Sequence, residues 1–163
     1  MSNNHTSLAG EYAVASEISR MDHDAHLTYG NKKEADIIVH NGKSLLLVEV
    51  KSKEGGEWPW IRGIPDDGHH ILVFVDFQGK ELKERPDFYI LTGSDWKMLV
   101  PNLEVIRNNK NYKGFDEKDN HTPTWINDKN RGVKINVRDV EEHKEKWEKL
   151  DNILAKLDNT ENF

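Results

Sequence analysis

Ala35-Asp36-Ile37-Ile38-Val39-His40 and Ser44-Leu45-Leu46-Leu47-Val48-Glu49-Val50-Lys51 are two apolar runs joined by Asn41-Gly42-Lys43. Asn-Gly between two such runs is a strong hairpin signal. Leu45 to Val48 is continuously apolar, as a strand covered on both faces should be. Charges break this pattern at three places. Asp36 opens the first strand, while Glu49 and Lys51 lie two apart on the second and so share one of its faces. Charged groups beside a buried sheet are costly unless they hold a metal and a reacting group. In a paired hairpin, Asp36 at one strand's start lies near Glu49 at the other's end. Two carboxylates, supplemented by the Val50 carbonyl, suit a hard cation such as Mg²⁺ or Mn²⁺, which takes few protein ligands and fills its shell with water and phosphate. Lys51 on the Glu49 face would orient a water or stabilise a phosphate. The set fits phosphodiester hydrolysis. Acyl transfer does not fit, because no serine or cysteine nucleophile is organised nearby. The plainer alternative is a surface hairpin whose cross-strand ion pair contributes only about 0–1 kcal/mol. Ile37, Ile38, Leu46, Leu47 and Val48 argue for burial against it.

Outward from the hairpin, Ser7 is an N-cap candidate for a helix over 7–21, with Leu8, Tyr12, Ala15 and Ile18 at helical spacing. A short strand is expected at 25–29. Beyond the hairpin, a loop holds Gly55-Gly56 and Trp58-Pro59-Trp60 and ends at the Pro65-Asp66-Asp67-Gly68 turn. Strands are expected from His70 to Phe77 and from Phe88 to Thr92, then a helix capped by Ser94. Residues 108–131 show little periodicity and read as a polar insertion. A last strand over 133–137 precedes a helix over 139–157, whose stripe is Val140, Trp147, Leu150, Ile153, Leu154 and Leu157. This order predicts a single α/β domain over residues 1–163, a central mixed β-sheet flanked by helices.

Asp36, twelve intervening residues, then Glu49-Val50-Lys51 resembles the PD-(D/E)xK nuclease superfamily, which includes restriction endonucleases and archaeal Holliday-junction resolvases. The resemblance covers about residues 7–92 and implies a restriction-endonuclease-like core of α-β-β-β-α-β order. It further implies a metal-site glutamate on the first helix, where Glu11 stands after Gly10; Glu17 is a weaker match two turns on. Ala35 replaces the proline that names the motif, which is not a metal ligand.

The formal net charge of -6 over 163 residues argues against a generic polyanion binder, though a bound divalent cation would offset the site carboxylates. Between Arg107 and Lys134 seven Lys or Arg stand against four Asp or Glu, so that stretch is locally basic. Cysteine is absent, which permits a reducing cytoplasm. No apolar run is long enough for a membrane span, and no secretory signal is visible at the N-terminus. Lys53 lies on the Lys51 face and is a candidate phosphate contact, and Trp58 and Trp60 are candidate stacking platforms for bases; the plainer readings are loop solvation for Lys53 and packing of the loop against the core for the two tryptophans. His69-His70, and Asp22-His23-Asp24 with His26, lack the spacing of zinc or calcium loops and read as turn and helix-end solvation. The expected function is a Mg²⁺-dependent (or Mn²⁺-dependent) endonuclease acting on DNA, for which a two-fold homodimer would arrange two-strand cutting most simply. Two alternatives stand beside it: a non-catalytic nucleic-acid-binding or regulatory protein of the same fold, and a protein-interaction module.

Overall fold

A computed structural model describes residues 2–30, 35–42, 44–126 and 131–160. Glu34, Lys43 of the hairpin turn and the Lys32-Lys33 pair lie outside them. Helix α1 (Asn3–Arg20) is capped by Ser2, whose side chain accepts from the His5 amide; Ser7, the expected cap, is one turn inside. Three strands follow: β1 (Asp24–Leu27), β2 (Ile37–Asn41) and β3 (Ser44–Lys53). They form an antiparallel meander, with Ile37 opposite Val48 and Asn41 opposite Ser44 across the expected hairpin. After β4 (Trp58–Ile61) come β5 (His70–Asp76) and β6 (Asp87–Thr92). β5 runs parallel to β3, and β6 antiparallel to β5. The result is an α/β fold on a mixed five-stranded sheet of order β1-β2-β3-β5-β6.

The two faces of this sheet are buried against different partners. Val14, Ala15 and Ile18 of α1 and Leu150 and Leu154 of helix α4 (Glu148–Thr160) pack on Ile37, Val39, Leu46, Val48, Val50 and Val73. On the other face, Trp58, Ile61, Trp96 and Ile135 pack on Leu72, Phe74, Tyr89 and Leu91. Burial on both sides explains the continuous apolar runs of β3 and β5.

Several elements differ from the sequence expectation. The connection from β3 to parallel β5 carries β4 and turns rather than a helix, so the α-β-β-β-α-β order is not followed there. The Trp58-Pro59-Trp60 segment is a strand, not a loop, because it pairs with β9 (Val133–Ile135) far along the chain. The region over 108–131 contains a hairpin, β7 (Tyr112–Asp116) with β8 (Thr122–Trp125). Helix α2 (Gly93–Leu99) is capped by Thr92 with Asp95 completing a capping box, two residues before Ser94 could act. The long C-terminal helix is split. Helix α3 (Val137–Val140) gives way to a 3₁₀ turn at Glu141–His143, and α4 restarts at Glu148. Glu145 at φ 55° and the bridge between Lys144 and Tyr89 hold the break open. Among the described residues, no helix is long and apolar enough to cross a membrane.

One contact fixes where α1 sits. A Cβ at Gly10 would come within 1.7 Å of the Ser52 hydroxyl oxygen and 2.9 Å of its Cβ, so the helix lies directly on the Ser52 side chain of β3. Gly10→Ala should lower stability by about 1–3 kcal/mol through overpacking. Gly10→Ala with Ser52→Gly should recover most of it in urea unfolding; equal loss in both variants would contradict the contact.

Candidate active site

β3 outruns its partner. Its ladder with β2 ends at Val48, while β5 stays paired with it from Leu47 to Lys53. The edge from Glu49 to Lys53 therefore faces a fork where β2 has already turned away. Val48 and Val50 point into the α1 core, so Glu49, Lys51 and Lys53 point to the opposite face. Extending the β2–β3 register by one step sets Asp36 across from Glu49.

Asp36 closes the fork. Its Oδ2 accepts the Val50 amide at 2.7 Å, and its own amide donates to Val48 O at 3.0 Å. A carboxylate thus takes the place of the next ladder carbonyl. The residue is only 7% exposed, a position that a carboxylate keeps only with strong partners. The N–H and C=O of one strand residue point to the same edge, so the Val50 carbonyl faces the same gap. Lys51 and Glu49 are joined at 2.5 Å, both half-buried.

A cavity of about 280 Å³ opens here, with Glu11, Asp36, Val50 and Lys51 in its lining. Four of the five sequence-predicted site residues therefore line one cavity, and Glu49 is tied to it through Lys51. Gly10 accounts for the placement of Glu11, because the close approach at Ser52 brings the next helix residue to the cavity rim. The carboxylates do not draw into one tight cluster: among the described residues no three His, Asp or Glu side chains form a group able to hold a metal. The donors at the fork are all oxygens, which fits a hard divalent cation and not zinc.

The remaining candidates have other surroundings. Lys53 is 4% exposed; its ammonium is 2.8 Å from Asp76, its register partner on β5, and lies over the Trp58 ring. It is committed to the interior and does not reach a phosphate. Trp58 is 1% exposed, wedged against Phe74 and Tyr89 with its indole N–H on Val75 O, and so has no open face for a base. Trp60 does reach solvent. Glu17 is far from the fork, its carboxyl held below the usual range chiefly by bonds to Arg85, which also grips Glu145. His23 bonds Asp151 of α4 at 2.7 Å, a tertiary contact in place of helix-end solvation, and His70 bonds Asp67 of its own turn at 2.9 Å. Ser7, Ser52, Pro59 and Ile61 also line the cavity and were not anticipated. For Ser52 a signal existed, since strand alternation turns it towards α1; β4 gave none.

No family model matches the chain, and neither does any curated protein or solved structure.

Asp36→Ala should cost about 1–3 kcal/mol, the penalty of leaving the buried Val50 amide without its acceptor. Asp36→Asn keeps an acceptor oxygen and should lose less. Equal midpoints for wild type and Asp36→Ala in denaturant titration would remove the fork bond from the account.

Proposed function

We propose that this protein is a divalent-metal-dependent nuclease that hydrolyses phosphodiester bonds, with DNA as the substrate, on a restriction-endonuclease-like variant of the α/β fold. The observation that carries the reading is the fork. Asp36 just before β2, Val50 and Lys51 on the overhanging half of β3 and Glu11 of helix α1 line one opening, and Glu49 joins it through its ion pair with Lys51. The order α1, three-stranded meander, then a strand parallel to β3 supports the same reading. The crossover without a helix departs from that family core, and it leaves the fork itself unaltered.

Asp36, Glu49 and the Val50 carbonyl, with Glu11 at the rim, would hold Mg²⁺ or Mn²⁺. When bound, such an ion supplies a water of lowered pKa and neutralises charge that builds on the phosphate. Asp36 contributes a carboxylate fixed in place by the Val50 amide, and Glu49 and Glu11 would draw in towards it when the ion binds. Lys51 contributes an ammonium held at the cavity wall by Glu49. A phosphate entering the cavity competes with Glu49 for that ammonium, and the charge that develops during attack strengthens the bond to Lys51. Glu11 shapes the negative side of the opening and holds a proton-accepting oxygen near it. The cavity wall of Trp58, Pro59 and Ile61 limits water on the remaining side.

The test uses supercoiled, duplex, single-stranded and branched DNA with Mg²⁺, Mn²⁺ or EDTA. Cutting should need the metal and fall by about 10²- to 10³-fold in Lys51→Ala, a magnitude typical of losing one electrostatic donor. Circular dichroism should report an intact fold for that variant. Binding without cutting at any metal concentration would replace the nuclease with a non-catalytic nucleic-acid-binding protein, and neither binding nor cutting would sink both.

A further inference from the structure

Strand β4 carries a backbone irregularity with a consequence beyond the fork. The β4–β9 register shifts between Trp58 and Ile61, and Trp60 within that bulge takes φ 52°. Left-handed backbone is a true outlier for a bulky residue and persists only where its surroundings enforce it. Gly132 permits it here: a Cβ there would come within 2.7 Å of the Ile61 carbonyl oxygen and 2.9 Å of the Trp60 carbonyl, so only glycine lets the chain entering β9 lie so close. Bulges of this kind re-aim a side chain. The chain thus spends conformational strain to hold an indole 59% exposed to solvent.

The ring does not stand alone. It forms one wall of a cavity of about 230 Å³ whose other walls are Trp125 and Val105, with Asn109 and Lys134 at the rim. Trp125 is itself fixed, its indole N–H donating to Gly132 O at 2.9 Å and its ring lying 5.7 Å from Tyr112. The braced Trp125 indole and the exposed Trp60 indole bound a slot smaller than the roughly 300–1,000 Å³ typical of small-molecule sites, so it suits one planar ring. Arg107 and Lys110 are exposed on either side of Asn109, in the stretch whose sequence is locally basic. That charge suits a polyanion and disfavours an apolar peptide. Pro59 and Ile61 line the fork cavity while Trp60, between them, lines the slot. The two openings therefore lie on either side of a single strand.

We infer that the Trp60–Trp125 slot takes an unpaired nucleobase, and that the substrate is single-stranded nucleic acid or a duplex carrying an unpaired tail or flap next to the scissile bond. The inference rests on the nuclease reading for the neighbouring fork and adds the substrate class. A base in a duplex keeps its faces stacked on its neighbours and cannot enter; a splayed base can, and an aromatic face accepts any of the four.

The experiment measures binding of a blunt duplex, the same duplex with an unpaired tail, and a single strand, all in EDTA, by fluorescence anisotropy. Wild type should prefer the tailed and single-stranded probes. Trp60→Ala should weaken those two by roughly 5- to 150-fold, the range expected for loss of one stacked base, and leave the blunt duplex unchanged. Trp60→Phe should restore most of the affinity, a recovery that mere packing loss would not give. Equal binding of blunt and tailed probes, or a Trp60→Ala variant with wild-type affinity, overturns the slot even if the protein cuts DNA with Mg²⁺. The converse result, slot-dependent binding with no metal-dependent cutting, retains the slot and overturns the nuclease. A concentration-dependent dimer in sedimentation that Trp60→Ala abolishes, with nucleic-acid binding unchanged, assigns the slot to a second copy of this chain and overturns the inference.

Discussion

The bond from the Val50 amide to the Asp36 carboxylate is the constraint on which the candidate site depends. β3 continues five residues past its pairing with β2, and each amide beyond that point needs an acceptor or water. Asp36 supplies the first acceptor from its side chain. That single bond ends the hairpin ladder, holds a carboxylate at 7% exposure and turns the Val50 carbonyl towards the same gap. An apolar residue at position 36 would leave the amide unsatisfied, and a longer β2 would fill the fork with backbone. The opening exists because one strand stops early and an acid takes over from its carbonyl.

The rest of the molecule holds β3 in place from both faces. Helices α1 and α4 cover one side, and β4, β9 and α2 cover the other. The Gly10–Ser52 approach sets the depth of α1, which brings Glu11 to the rim of the cavity. On the far face Lys53 and Asp76 pair beneath Trp58, locking β3 to β5 just beyond Lys51. At the other end of the sheet, Lys149 of α4 bonds Asp95 at 2.8 Å, Ile90 O at 2.9 Å and His143 at 2.9 Å, tying α4 to β6 and α2. Burial first, and the Lys149 ammonium second, hold His143 below its ordinary pKa, consistent with its ring nitrogen accepting from that ammonium.

The hairpin and the shared face of Glu49 and Lys51 were legible because both rest on local rules, the Asn-Gly turn and the two-residue period of a strand. Asp36 was legible as an interruption in an apolar run. What the sequence could not display were pairings between distant segments. Trp58 read as a loop aromatic packed on the core or stacked on a base, and the strand it belongs to stayed hidden because its partner Ile135 is far along the chain and Phe74 and Tyr89 lie on other strands. Lys53 was placed on the correct face, but nothing local revealed Asp76 opposite it. The split of the C-terminal helix is likewise tertiary: helical spacing runs through 139–157, while the Tyr89–Lys144 bridge and the 3₁₀ turn override it. The β7–β8 hairpin escaped because Asn, Lys and Gly dilute its short strands below any clear period.

Backbone amide signals recorded while Mn²⁺ is titrated into the apo protein test the central claim most directly, since the paramagnetic ion broadens only nearby amides. The account predicts that Val50, Lys51 and Glu11 fade first, at substoichiometric Mn²⁺, and that Asp36→Asn abolishes the effect without disturbing the remaining spectrum. Broadening centred elsewhere, or undiminished at Val50 in Asp36→Asn, would contradict it.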